Sequence, residues 1–253
     1  MTSEERHKTI LHLLRKEGTL RVETLASRLG VSGATLRTDL RQLEAEQAVR
    51  RAHGTVSPST LNVTDMPVDA KYTIRQDEKK RIGEKAASLV VSGDSLLITS
   101  GTTVEALARA LPSAKNLNVV SSSIRVASIL SSKSGIRIVV LGGTLVANSL
   151  SVRDDYSISG LSNIHAGKLF FSCDGFDLAA GITTAFPEEA RLTNRMMECS
   201  DEKILLADSA KLGRIGFGRI CGWADIDTII TDSELSPAVR SSLESLGVKV
   251  LIA

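Results

Sequence analysis

The chain has 253 residues, 42% of them apolar and 24% charged, with a formal net charge of +2. These values fit one large domain or two smaller ones and exclude a low-complexity or collagen-like chain. The charge is unevenly placed: residues 1–58 carry 10 Lys and Arg against 7 Asp and Glu, a net +3, and the remainder 21 against 22.

In chain order, Ile10, Leu11, Leu13 and Leu14 recur at helical spacing and predict an amphipathic helix from about Ser3 to Glu17, closed by Gly18. Thr19-Leu20-Arg21 reads as a short extended piece. Val22 to Leu29 forms a second predicted helix, with Val22, Leu25, Ala26 and Leu29 on one face and Gly30 as its stop. Val31 then leads into a third, whose first turn the Ser32 hydroxyl can cap. Leu36, Leu40 and Leu43 form its inward stripe. Its other face offers Thr35, Arg37, Thr38 and Arg41. Helix, tight turn, helix is the layout that lays its second helix in a DNA major groove. Ser32, Ala34, Thr35, Arg37, Thr38 and Arg41 are therefore the candidate contacts. Ala48 to Gly54 alternates weakly and predicts a strand of a β-wing. Arg50 and Arg51 there would meet phosphate oxygens, and His53 lies near DNA by the same position. So modest a basic excess implies binding as a homo-oligomer, a dimer or tetramer, that sums contacts over half-sites.

Residues 59–75, polar and weakly periodic with Pro67 among them, are expected to be a linker between a domain at 1–58 and another at 76–253. A helical pattern begins near Val68 and runs past Ile82 and Leu89. Its charged run, Asp77-Glu78-Lys79-Lys80-Arg81, reads as a solvated face or as a DNA- or dimer-facing patch. Beyond Gly93, short β-branched-rich runs recur at Ser95–Ile98, 117–120, 136–141, 169–171, 204–207, 228–230 and 248–252. Helical patterns lie between several of them, notably at 103–111, 123–130, 188–199 and 237–246. Continuous apolar strands alternating with helices predict a mostly parallel α/β sheet covered on both faces.

In such a sheet the ligand lies beyond the carboxyl ends of the strands. The residues there are polar in succession: Thr99 followed by Ser100, Gly101, Thr102 and Thr103; Ser122; Gly142 and Gly143; Asp174 and Gly175; Thr183, Thr184 and Glu189; and Lys211. A glycine-bearing hydroxyl loop opening a helix suits a phosphate. Lys211 is its natural counter-charge, and Asp174 and Glu189 can accept sugar hydroxyls. No Gly-Lys-Ser/Thr follows the first loop, so it is not a Walker A loop.

Arg6, Ile10 and Leu14 at four-residue spacing, the run Ser32 to Leu40, and the Arg50-Arg51-x-His53-Gly54 tail resemble the signature of GlpR-like members of the DeoR family, bacterial transcription regulators of carbohydrate metabolism. The resemblance implies an N-terminal winged helix-turn-helix and a C-terminal effector domain similar to sugar-phosphate isomerases. In that domain Ser100 to Thr103 match the phosphate loop, and Asp174-Gly175, Thr183, Thr184, Glu189 and Lys211 the remaining pocket. The chain departs from the family pattern at Thr38, usually basic, at Thr55, usually glycine, and at Thr99, commonly an acid. Val152-Arg153-Asp154-Asp155-Tyr156 replaces a Gly-Pro-containing segment.

The expected function is therefore a DNA-binding repressor of a carbohydrate operon, relieved by a phosphorylated sugar. The alternative is a sugar-phosphate isomerase-like enzyme with an appended N-terminal domain, for which Asp174, Glu189 and Lys211 would supply the acid–base groups. No catalytic residue, cofactor or metal is expected. Cys173, Cys199 and Cys221 lack C-x-x-C spacing, and His7, His12, His53 and His165 share no metal spacing. Trp223, Met196 and Met197 read as core. The charged N-terminus and the lack of a long apolar run predict a cytoplasmic protein without a membrane partner.

Overall fold

Leucines spaced three and four apart turn three helices onto one small core in the first of the two units of the chain, Met1–Asn62. The computed structural model describes residues 2–17, 19–45, 48–52, 54–58, 68–113 and 116–253. The expected helix stop at Gly18, the His53 contact and linker residues 59–67 fall outside them, as does the side chain of Arg50.

The elements of this unit are α1 (Ser3–Glu17), β1 (Leu20–Arg21), α2 (Val22–Leu29), α3 (Gly33–Ala45), β2 (Val49–Ala52) and β3 (Thr55–Pro58). Ile10 and Leu14 of α1, Leu25 of α2, and Leu36, Leu40 and Leu43 of α3 meet Val49 and Val56 of the wing. Gly30 ends α2 in the left-handed region at φ 63°, with its N–H directed to the Ala26 and Ser27 carbonyls. The wing is a three-stranded sheet in which β3 pairs antiparallel with both β1 and β2. Asp39 is buried on the inner side of α3. It receives the Arg6 Nε–H at 2.8 Å, a second Arg6 N–H at 3.0 Å and the Ser3 hydroxyl at 3.1 Å. This fork pins α1 to α3 and holds the Asp39 carboxyl below its ordinary range.

The second unit, Val63–Ala253, opens with α4 (Val68–Tyr72) and α5 (Gln76–Ala87). It continues as β4 (Ser95–Ile98), α6 (Thr102–Ala110), β5 (Leu117–Ser121), α7 (Ile124–Ser131), β6 (Ile136–Val140), β7 (Leu145–Val146), β8 (Ser151–Val152), α8 (Asp155–Ser159) and β9 (Ala166–Phe171). Then follow β10 (Gly175–Asp177), β11 (Gly181–Thr184), α9 (Pro187–Glu198), β12 (Ser200–Leu206), β13 (Gly218–Cys221), β14 (Thr228–Thr231), α10 (Pro237–Ser245) and β15 (Lys249–Ile252).

The seven apolar runs of the sequence all become strands of one parallel sheet, in the order β15-β14-β12-β9-β4-β5-β6. Their side chains alternate between two cores. Leu97, Leu169, Phe171, Leu205 and Ile229 face one, with Met196, Met197 and Trp223. Leu96, Ile98, Phe170, Ile204 and Ile230 face the other, against α5, α6 and α7. Gly83 lets α5 lie directly on α6: a Cβ there would sit 2.5 Å from the Ala106 carbonyl carbon.

Two details differ from expectation. Residues 68–72, where the expected linker and the expected helical pattern overlap, form α4, whose Val68 is buried and donates its N–H to the Asn148 carbonyl at 2.8 Å. Lys79, expected on a solvated face, is buried instead and donates to the Lys71 carbonyl at 2.6 Å. The helix period turns it inward beside Ile82 and Gly83.

Candidate functional site

On α3, the Ser32 hydroxyl accepts the Thr35 N–H at 3.1 Å, so the helix starts with a side-chain cap. Ala34, Thr35, Arg37, Thr38 and Arg41 are exposed, opposite the buried Leu36, Asp39, Leu40 and Leu43. Arg37 and Arg41 form no ion pair among the described residues, so both cations face solvent. The Thr38 hydroxyl donates to the Ala34 carbonyl of its own helix at 3.2 Å. Arg51 is committed to Glu44 of α3: its Nε–H donates at 2.7 Å and its backbone N–H at 3.2 Å. Its first role is thus to fix the wing on α3, and only its remaining N–H donors are open to phosphate.

In the second unit, the strand order reverses between β4 and β9, because β5 and β6 extend one way and β12, β14 and β15 the other. A cavity lies at the carboxyl ends of this pair, where such sheets bind ligands. Ser100, Gly101 and Thr102, after β4, open α6 on it. Ser172, Cys173 and Asp174 border it after β9, and Lys71, Arg153, Glu189 and Lys211 complete the charged lining. Gly101 has φ 125°, a conformation that a side chain would strain, and no side chain caps α6, so the amides of its first turn face the cavity side. The Thr99 hydroxyl accepts the Ser172 N–H at 3.4 Å and ties the two strand ends together.

Lys211 donates to the Cys173 carbonyl at 2.7 Å and the Ser172 hydroxyl at 3.1 Å. Asp174 pairs with Lys71 at 2.9 Å and accepts the Thr184 hydroxyl and the Ala185 N–H, each at 3.0 Å. Burial disfavours its charge, but Lys71, Lys211 and the Ala185 amide outweigh that and hold the carboxyl below its ordinary value. Thr184 also lies 2.9 Å from Glu189, which burial and the neighbouring Asp174 push up to about 7. One hydroxyl proton cannot serve two carboxylates, so a protonated Glu189 donating to Thr184, which donates to Asp174, satisfies all three groups. Burial, with Lys211 close by, lowers Lys79 to about 8.

The other expected pocket residues do not line this cavity. Thr103 is turned under α6 and buried. Thr184 stands behind Asp174 and Glu189. Thr183 accepts the Gly216 N–H at 2.8 Å and donates to the Gly175 carbonyl at 3.1 Å, and Gly175 lies against the backbone of Arg214. Ser122 is buried and gives its carbonyl to the Val152 N–H at 2.9 Å. Gly142 and Gly143 form a turn gripped by Asp154 and Ser157. Hydroxyls and glycines at strand ends serve loop closure as readily as ligands. Conversely, Lys71 and Ser172 are not among the expected pocket residues, and Arg153 enters the sequence reading only within the Val152–Tyr156 departure. Lys71 lay in the expected linker, and only the helical pattern starting at Val68 could have drawn it in.

A family model described as the DeoR C terminal sensor domain matches residues 74–233, and one described as a DeoR-like helix-turn-helix domain matches residues 6–60. The chain belongs to the DeoR family. This DeoR-family chain is 34% identical over 250 residues to the uncharacterized HTH-type transcriptional regulator YulB of Bacillus subtilis, across 99% of the chain and 96% of that relative. It is 32% identical over 252 residues to the transcriptional repressor GlcR of the same organism, across 100% and 97%. It is 33% identical over 237 residues to the lactose phosphotransferase system repressor of Streptococcus mutans, across 92% and 94%. The DeoR-family assignment makes it a DNA-binding transcription regulator rather than an enzyme. No helix among the described residues is long and apolar enough to cross a membrane.

Proposed function

We propose that the chain represses a carbohydrate-utilisation operon in the cytoplasm, and that a phosphorylated sugar bound in the cavity between the ends of β4 and β9 relieves the repression. The cavity carries this reading: an uncapped helix N-terminus and Lys211 offer donors and positive charge to a phosphate, while Asp174 and Glu189 offer acceptors to hydroxyls. Relatives named as a sugar-system repressor and a transcriptional repressor support the direction of control.

On this reading α3 docks in the operator through Thr35, Arg37 and Arg41, and a homo-oligomer sums two or more half-sites. A ligand hydroxyl or phosphate competes with the Lys71–Asp174 pair. Lys71 stands on α4, which Val68–Asn148, Lys79–Lys71 and Arg125–Asp69 contacts also hold, and residues 59–67 precede α4 in the chain. Ligand occupancy thus acts on the segment leading to the DNA-binding unit. A coupling of about 1–3 kcal/mol would change operator affinity roughly 5–150-fold. The test is a thermal-shift screen of sugar phosphates on the purified chain, followed by operator binding with and without each hit. A hit that stabilises the protein and weakens operator binding is expected. If stabilising compounds leave operator affinity unchanged, the relief mechanism is wrong.

A further inference from the structure

We propose that Arg153 forms a second anion subsite, so that the ligand is a phosphorylated carbohydrate bearing another anionic group, a carboxylate or a second phosphate, at its far end. This rests on the phosphosugar reading above and names the class of sugar phosphate. Arg153 follows β8 and borders the same cavity as Ser100 and Lys211. Its guanidinium carbon lies 3.9 Å from the centroid of the Phe186 ring. Stacking on an aromatic face fixes the plane of the guanidinium without using its N–H donors.

Those donors are not otherwise engaged among the described residues. The nearest carboxylate oxygen, on Glu189, is 3.7 Å away, beyond hydrogen-bonding distance. Glu189 already holds Thr184, and burial pushes it up to about 7, so it is a weak counter-charge. The two acids that follow Arg153 in sequence are turned elsewhere. Asp154 caps α8 through the Ser157 N–H and takes the Thr144 N–H, and Asp155 faces Arg191 at 3.4 Å. Lys71 differs in kind, since Asp174 neutralises it at 2.9 Å.

The contacts also order the groups. Lys211 sits on the Cys173 carbonyl, next in chain to Asp174. Asp174 joins Thr184, Thr184 joins Glu189, and Arg153 stands beyond Glu189. In this chain of contacts Lys211 and Arg153 stand at opposite ends, with Asp174, neutralised by Lys71, and Glu189 between them. A ligand matching this order has hydroxyls in its middle and an anion at each end.

The experiment compares matched pairs of probes on the full chain by calorimetry: glucose 6-phosphate with 6-phosphogluconate, fructose 6-phosphate with fructose 1,6-bisphosphate, and ribulose 5-phosphate with ribulose 1,5-bisphosphate. A member with two anionic groups is expected to bind about tenfold or more tighter than its partner, the effect of one charge-assisted contact. Arg153→Gln should erase that preference, read as the ratio of the two affinities within each pair. Arg153→Lys, which keeps the charge and loses the planar fork, should retain part of it. Equal or tighter binding of the singly phosphorylated member, or a preference that survives Arg153→Gln, overturns the subsite. Binding of no probe at all overturns the phosphosugar reading itself, and this inference with it.

Discussion

The two units place their cations in opposite ways. On α3, Arg37 and Arg41 stand in water with no ion-pair partner among the described residues, above a stripe of buried leucines. Around the cavity, Lys71 and Lys211 are partly buried and each is tied to a named oxygen, and Arg153 is held against the face of Phe186. The difference follows from the two targets. DNA phosphates arrive with their counterions, so a cation in water loses little on exchanging one anion for another. A small ligand must be held by groups that burial has already stripped of water and fixed in place, and such groups need internal partners in its absence.

Replacing the exposed pair tests the first half of this contrast and should have the largest effect. Arg37→Ala combined with Arg41→Ala is expected to weaken specific operator binding about 100-fold or more and to lower the salt dependence of what remains. Thermal stability and ligand binding should not change. If footprinting on the operator is unaltered, α3 is not the reading helix.

Next comes the buried acid beneath that helix. Asp39→Ala removes the acceptor of Arg6 and Ser3 and should destabilise the first unit by about 2 kcal/mol. The wild-type carboxyl is held low by Arg6, so its contribution is present above the unfolded carboxylate value and is lost as pH falls through the folded one. Urea melts of wild type and variant should converge in acid. A constant gap down to low pH would remove Asp39 from the account of stability.

Lys211→Ala addresses the second half. Ligand affinity should fall about tenfold, the effect of losing one charged donor, and operator binding without ligand should persist. Loss of operator binding instead would mean that Lys211 serves the fold of its loop through Cys173 and Ser172.

Much of this was readable in the sequence, and the exceptions share a cause. Period alone placed α1, α2, α3 and the seven sheet strands, because a buried stripe or a continuous apolar run is a local signal. It also placed Ser100, Gly101, Thr102, Asp174, Glu189 and Lys211 at strand ends that border one cavity. It failed where a polar residue's role depends on a distant partner. Lys79 reads as a solvated charge until α5 is laid on the sheet, and Lys71 as linker until Asp174 meets it. Gly142, Gly143 and Thr183 lie off that cavity: their residue types suit ligand loops and loop closure equally, and here they contact Asp154, Ser157 and Gly216.

The smallest effect is the most diagnostic of how the cavity stores charge. Glu189 is raised by burial and by Asp174 to about 7 in the folded chain, against an ordinary glutamate value of 4.5. Between those values the folded state binds a proton that the unfolded state does not, so the contribution of this group falls as pH rises from about 4.5 and levels off above about 7. Glu189→Gln replaces the protonated acid with an amide that still donates to Thr184 and does not titrate. The variant should therefore match wild type near pH 5 and melt several degrees higher near pH 8. Its advantage should shrink when a ligand hydroxyl occupies the site, because a hydroxyl donor favours the ionised carboxylate. A variant equally stable at both pH values would mean that Glu189 is ionised in the empty cavity. Arg153 would then be balanced by a full charge, and Thr184 would have to choose between two carboxylates.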